Sequence, residues 1–273
     1  MIRNLRRDLL VYVFLICCAI FALGPFGWML LTAFRTQIDL NSGSVFPAEF
    51  TVENFVQVWQ TVPVLRYLSN SVIVTATILI SQFFTAIPAG FALARMQNKR
   101  LSQAIVWIVL GATMVPLQVI AVPLFLALSK VGLVGTLAGL IVPFLASAFG
   151  VYMFRQFFLQ FPEELIEAAR LDGAGEVRIL VRIVLPLARP TMIAFSVFSV
   201  TAHWNDFFWP FFTLRGDSAA TIPFAIARFA SNEMGTDFPL QMASATMAIL
   251  PMVIAFLVLQ RYFQSSILSG SQR

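Results

Sequence analysis

Six runs of apolar residues alternate with polar segments, at about 9–34, 70–95, 102–128, 136–158, 189–212 and 241–263. A helix needs roughly 20 mostly apolar residues to cross the hydrocarbon core of a bilayer. The pattern therefore predicts an all-α polytopic membrane protein with six transmembrane helices. It divides the chain into 1–68 (N-terminal tail, first span and external loop), 69–263 (a core of five spans) and a C-terminal tail at 264–273. One polar segment differs from the rest. Glu163, Glu164, Glu167, Arg170, Asp172, Glu176, Arg178 and Arg182 crowd the stretch from Glu163 to Pro190, between the fourth and fifth runs. At roughly 3 kcal/mol per charge at a membrane centre, those charges would cost on the order of 20 kcal/mol or more, so the segment stays in water.

The charged loop itself reads as two short helices. Pro162 suits a helix start, and the acids that follow favour the positive end of the helix dipole. Before Gly173-Ala174-Gly175, Leu165, Ala168 and Ala169 fall on one face; after it, Val177, Leu180, Val181 and Val184 repeat at helical spacing. Gly173 sits where one helix must stop and turn, a place for positive φ. Pro186 is expected to end the second helix. A helix that only rests on lipid headgroups is usually rich in Lys and Arg on its polar face. Here acids balance bases, which favours a protein partner, with the small Ala168 and Ala169 entering a groove on it.

Composition agrees with a membrane protein. The 273-residue chain is 59% hydrophobic and 11% charged, against about 25% charged in soluble domains. With the N-terminus inside, thirteen Lys and Arg residues lie on one side and five on the other (Arg35, Arg66, Lys130, Arg215, Arg228). That bias puts both termini and the charged loop in the cytoplasm. The net charge of +5 is thus a matter of membrane sidedness, not of nucleic acid. The first apolar run is too long for a typical signal peptide and reads as an uncleaved span. Cys17 and Cys18 are adjacent in that run and offer neither disulfide nor metal spacing.

External segments 35–69 and 213–240 are longer than tight turns. The first carries the pattern of a short amphipathic helix around Phe55, Val58 and Trp59. Either could touch an external partner or cover helix ends. Pro25, Pro88, Pro116, Pro123, Pro143 and Pro251 fall within the spans and are expected to kink them. Gly135 and Gly139 form a GxxxG pair that is either a packing face or chance.

Catalytic and metal chemistry are not in sight. There is no GxxxxGK[ST], and neither Lys99 nor Lys130 lies in a glycine-rich loop, so the chain has no phosphate cradle of its own. His203 is the only histidine and cannot make a histidine cluster.

Glu167-Ala168-Ala169, Asp172-Gly173-Ala174 and Ile183-Val184-Leu185-Pro186 together resemble the EAA loop of ABC importer permease subunits. His203-Trp204-Asn205-Asp206-Phe207-Phe208-Trp209-Pro210 resembles a sequence of the carbohydrate branch, of the maltose and glycerol-3-phosphate type. Leu259-Gln260-Arg261-Tyr262-Phe263 resembles that branch's ending. The resemblance makes residues 69–263 a permease core. It implies a bacterial or archaeal cytoplasmic membrane and a second homologous permease subunit, with heterodimeric pairing. It also implies two ATPase subunits on the cytoplasmic side and an extracytoplasmic solute-binding protein. ATP and Mg would be held by the ATPase, with no cofactor on this chain. Glu163, Glu164, Glu167, Ala168, Ala169, Asp172, Gly173 and Ala174 would form the ATPase-coupling joint. The cargo would be a carbohydrate or polyol. The alternatives are a glycerol phosphate, an amino acid or a peptide.

Trp204, Asn205, Asp206 and Phe207 are the candidates for the substrate pathway. Sugars suit aromatic faces flanked by amides and carboxylates. The rival readings are an aromatic belt at the outer interface, expected above all for Trp209, Phe211 and Phe212, and a structural hydrogen-bond role for Asn205 and Asp206. A self-contained secondary transporter would need embedded charges, and a membrane enzyme would need clustered His, Asp or Glu. Embedded charge is nearly absent, and no such cluster stands at one membrane face.

Overall fold

A computed structural model describes the backbone of residues 2–44, 46–232 and 237–270, and the side chains of 8–44, 46–227, 237–254 and 257. Residues 271–273 of the expected tail, and the side chains of Leu259–Phe263, lie outside the described residues. Every regular element among the described residues is helical: α1 (Ile2–Ala33), α2 (Gln37–Asn41), α3 (Glu53–Thr61), α4 (Val64–Arg95), α5 (Lys99–Thr113), α6 (Leu117–Lys130), α7 (Leu137–Ile141), α8 (Ala148–Leu159), α9 (Glu163–Leu171), α10 (Glu176–Ile179), α11 (Leu185–Leu187), α12 (Arg189–Trp204), α13 (Phe208–Thr213), α14 (Ile222–Asn232) and α15 (Phe238–Gly270).

Asp8–Ala33 and Val64–Arg95 are each long and apolar enough to cross a membrane unbroken. Three further candidates are bent pairs. Lys99–Thr113 meets Leu117–Lys130 at 93°, Leu137–Phe144 meets Ala148–Leu159 at 40°, and Glu176–Leu187 meets Arg189–Thr213 at 78°. The third apolar run is thus a sharply folded pair, not a kinked rod. Pro116 explains the site of the bend, because it lacks an N–H and pushes Val115 out of helical geometry. Pro123, by contrast, lies inside α6. Gly135 lies in a turn before α7, so it makes no helix face with Gly139.

The chain forms two compact units: Met1–Val64 with Ile226–Val253, and Leu65–Ala225 with Ile254–Arg273. In the first, Ala33, Val58, Leu240 and Ala243 share a small core. Above it lies a polar clasp. Arg35 is 1% exposed; its Nε donates to Asp39 Oδ2 at 2.7 Å, and its Nη2 donates to the Asp39 carbonyl at 3.0 Å and to Ser44 Oγ at 2.9 Å. Asp39 Oδ1 accepts from the Ala48 N–H at 3.2 Å, which pins the far end of the loop. Asn54 Nδ2 donates to the Ala33 and Arg35 carbonyls at 2.8 and 2.7 Å, satisfying the exit of α1.

The second unit is built on phenylalanine. Phe91, Phe154, Phe158, Phe161 and Phe195 are buried with Ala86, Ile87 and Ala94. The backbones approach closely there. A Cβ on Gly90 would stand 2.9 Å from the Arg155 N, and one on Gly150 would stand 2.9 Å from the Phe195 ring. Small residues at such crossings are the membrane-helix rule.

The guanidinium of Arg35, hydrogen-bonded to Asp39, holds that carboxyl below its ordinary range. A lowered carboxyl pKa stabilises the fold above the ordinary value and stops doing so as pH falls through the lowered one. Arg35→Lys keeps the charge but loses the fork. Limited proteolysis at neutral pH should therefore cut the segment between Thr36 and Pro47 faster in this variant, with membrane insertion intact. Equal cutting of the two proteins would refute the clasp.

Candidate functional site

The charged loop grows directly out of the phenylalanine core. Ile166 and Ala169 of α9, and Ile179 and Val184 beyond the turn, are buried against Phe158, Phe161 and Phe195. The faces differ from the sequence expectation. Ala169 and Val184 turn inward, but Leu165, Ala168, Val177 and Val181 stay exposed, and their neighbours Ile166 and Ile179 take the inner positions. Both faces of these short helices carry apolar residues, so spacing alone does not choose between them.

The turn is set by backbone geometry. Gly173 has φ +79°, a value costly to any residue with a Cβ. The Ala174 N–H donates to the Ala169 carbonyl at 2.9 Å and the Gly173 N–H to the Arg170 carbonyl at 3.0 Å. These two bonds are the Schellman pattern, and Ala174 packs with Ala169 on the same core. Arg170 Nε donates to Glu176 Oε1 at 2.8 Å, joining the two helices across the turn. That pair is exposed and contributes about 0–1 kcal/mol. Pro186 does not end the second helix. Helical backbone continues from Glu176 to Leu187, with a π segment at Leu180–Val184. The wider π turn frees the position where the proline ring would collide with the preceding turn.

Arg95, at the end of α4, was legible in the sequence only as a positive charge. Its Nη2 donates to the Phe158 and Phe161 carbonyls at 3.0 and 3.2 Å, at the end of α8. Its Nη1 lies 3.9 Å from Glu163 Oε1. One cation thus ties α4, α8 and the head of the loop together. Glu164, Glu167, Ala168 and Asp172 are exposed on the outer side of the loop.

The four residues of the second candidate group do not share one environment. Trp204 is buried, while Asn205 and Phe207 are exposed. Asn205 Nδ2 donates to the Thr201 carbonyl at 3.0 Å. Asp206 Oδ1 accepts from the Trp209 N–H at 3.2 Å, in the first turn of α13. With His203, Trp209 and Thr221 it lines a cavity of about 10 Å³, too small for a sugar ring. Trp209 is no interfacial belt residue: it is fully buried, and its Nε1 donates to the Gly139 carbonyl at 3.0 Å.

Behind this group sits a polar hub at Gln82. Its Nε2 donates to the Phe144 carbonyl at 3.0 Å and lies 3.2 Å from His203 Nε2, while its Oε1 accepts from Ser199 Oγ at 2.7 Å. A lone glutamine inside an apolar run was the available signal, since buried amides in a bilayer need partners.

The family model described as "Binding-protein-dependent transport system inner membrane component" matches residues 86–269. The chain is 30% identical over 257 residues to the arabinooligosaccharides transport system permease protein AraQ of Halalkalibacterium halodurans, covering 92% of this chain and 91% of that one. It is 32% identical over 262 residues to the melibiose/raffinose/stachyose import permease protein MelC of Bacillus subtilis, covering 94% and 93%. Its fold is similar to a chain in the crystal structure of a bacterial ABC transporter that imports the acidic polysaccharide alginate. The TM-score is 0.81 at 20% identity, over 95% of this chain and 97% of that one. A family match over most of the chain, with an all-helical fold built around a charged two-helix loop, makes this protein a member of the binding-protein-dependent transport system inner membrane components, the permease subunits of ABC importers.

Proposed function

We propose that this chain is the membrane permease of an importer for oligosaccharides or related polyols, driven by ATP hydrolysis on separate subunits. The carrying observation is the charged loop. Its inner face is fused to the spans, and its outer face presents Leu165, Ala168, Glu167 and the 90%-exposed Leu171. A loop so firmly held from one side, with small, apolar and charged residues open on the other, suits a partner that pushes on it. Two ATPase subunits would seat Glu163, Glu164, Glu167, Ala168, Ala169, Asp172, Gly173 and Ala174 as the coupling joint. Of these, Ala169, Gly173 and Ala174 would act by shaping the joint. A second, homologous permease subunit would complete the pathway, and an external binding protein would deliver the sugar. ATP and Mg would belong to the ATPase. Six crossings are proposed, with α15 as the last, residues 69–263 as the core and both termini on the cytoplasmic side. Sugar cargo rests on the relatives' substrates. Asn205 and Phe207 remain exposed for a pathway role, whereas Trp204 and Asp206 would support it from behind.

The mechanism follows from packing. Close-packed interiors transmit displacement and do not absorb it. A shift of α9 would press Ile166 and Ala169 on the phenylalanine core and move α4, α8 and α12 together. The result is rigid-body gating between two states, biased by nucleotide on one side and loaded binding protein on the other.

In the reconstituted complex with its binding protein, raffinose, lactose or arabinotriose should stimulate ATP hydrolysis. No stimulation by any of them would refute the cargo class. Gly173→Val forces a β-branched residue to positive φ, at a cost of roughly 1–2 kcal/mol or more. Gly175 has φ −73°, so Gly175→Val carries no such strain. Sugar-stimulated hydrolysis should fall in the first variant and largely persist in the second; equal activities would count against the turn. Glu167→Lys should reduce recovery of the ATPase with the tagged permease, and undiminished recovery would remove Glu167 from the joint.

A further inference from the structure

The helix α3 is apolar on two of its three sides. Contacts settle the inward side. Val58, with Phe55 and Val62 beside it, packs with Ala33, Leu240 and Ala243, and Asn54 donates to the Ala33 and Arg35 carbonyls. Next around the helix come Trp59, Val52 and Val56, whose spacings of four and three stack them in one stripe. They are 52%, 63% and 48% exposed. The remaining side carries Glu53, Gln57, Gln60 and Thr61, all exposed. At 3.6 residues per turn, each side takes roughly a third of the circumference.

The level of α3 is fixed by α1. Asp8–Ala33 has 26 residues, or roughly 39 Å of helix, against a hydrocarbon core about 30 Å thick. Its last turn therefore reaches the headgroup layer. The burial pattern agrees. Every residue from Asp8 to Trp28 is exposed, whereas Thr32 and Ala33 are buried. Val58 packs where that cover begins, which sets α3 at headgroup depth. Phe50 is 71% exposed, with its ring centroid 6.5 Å from that of Phe34, and adds apolar surface at the exit of α1.

Depth and composition choose the occupant. At this boundary the neighbour of an apolar stripe is the acyl chain, and tryptophan is enriched there. Amphipathic helices at such a surface sink their apolar side about 5–10 Å and keep the polar side in water. The wet side of α3 has no Lys or Arg to draw it to anionic lipid. It needs none, because α1 carries one end of the segment to the surface and the span starting at Val64 carries the other.

We propose that α3 is an interfacial helix. Its Val52–Val56–Trp59 stripe lies among the acyl chains of the leaflet at the exit of α1, with Glu53, Gln57 and Gln60 in water. Through Asn54 and Val58 it holds the end of α1 at a set depth. The proposal rests on α1 crossing the bilayer and is independent of the cargo.

The test uses the whole importer in proteoliposomes, in a Cys17→Ala, Cys18→Ala background. Val56→Cys, Trp59→Cys, Gln57→Cys and Ile20→Cys each carry a nitroxide. Electron paramagnetic resonance reads collisions with oxygen, which dissolves in acyl chains, and with a water-soluble nickel chelate. At Val56 and Trp59 oxygen should exceed the chelate several-fold; at Gln57 the order should reverse. Val56 and Trp59 are read separately, so if one variant does not assemble the other decides. Chelate in excess at both would leave the stripe in water and overturn the proposal. Weak collisions with both reagents would make the stripe a contact with another subunit, and would overturn it too. So would loss of the oxygen signal on adding loaded binding protein. Ile20, midway along α1, separates the premise from the proposal: chelate reaching it would show that α1 does not cross, and the interfacial placement falls with the span.

Discussion

The charged loop of the second unit hangs on one apolar contact: its inner face against the phenylalanine core. Ile166, Ile179 and Val184 are completely buried, beside Phe154, Phe158 and Phe195, which are completely buried too. Burying such an aliphatic side chain contributes about 1.5–3 kcal/mol. The loop's ionic contacts are weaker. The Arg170–Glu176 pair is exposed, and Arg95 and Glu163 are 3.9 Å apart. Charge therefore keeps the segment out of the bilayer, while burial decides how it is held. Arg95 adds direction by meeting the carbonyls left open where α8 ends.

The same accounting governs the interior of the membrane. A broken helix leaves carbonyls without partners, and lipid supplies none. The break after α7 exposes the carbonyls of Phe144 and Leu145. Gln82 and Thr85, one turn apart on α4, donate to them. Gln82 also reaches Ser199 and His203, so the α4–α12 crossing and the break are fixed by one amide. Trp209 does similar work by donating to the Gly139 carbonyl on α7. These residues read as possible binding groups in sequence because polar and aromatic side chains in spans are costly. In the folded protein several of them satisfy backbone instead.

Much of the architecture was legible. Apolar runs located the helical segments, and charge density located the loop. Gly173 announced its turn because its neighbours on both sides were amphipathic. Other features were not legible, for physical reasons. The inner face of the loop was read one or two positions away, because Leu165 and Ile166 are equally apolar and a helix this short has little periodicity to measure. A proline marks where a helix weakens but not how far it bends: Pro116 accompanies a 93° turn, whereas Pro123 stays within a helix. Trp209 looked like an interface anchor, since sequence does not reveal the carbonyl of Gly139 beside it. For Asp206 the sequence left a pathway role and a structural hydrogen bond both open, since a carboxylate that bonds the first turn of a six-residue helix has almost no sequence signature.

On the coupling role proposed above, the division between the faces of the loop would let the segment transmit force. A coupling element must be stiff toward the membrane and adaptable toward its partner. Stiffness comes from the buried side and from the two Schellman bonds, which leave the turn one conformation. The outer side shows Glu167, Ala168 and Leu171 with no bulky neighbour enclosing them. Large aromatics there would bind more strongly in isolation but would collapse onto the core and blunt the joint. Small and charged residues keep the surface open. With the phenylalanines inside, Ala169 at the seam and the charges outside, one short loop would serve as both anchor and handle in that role.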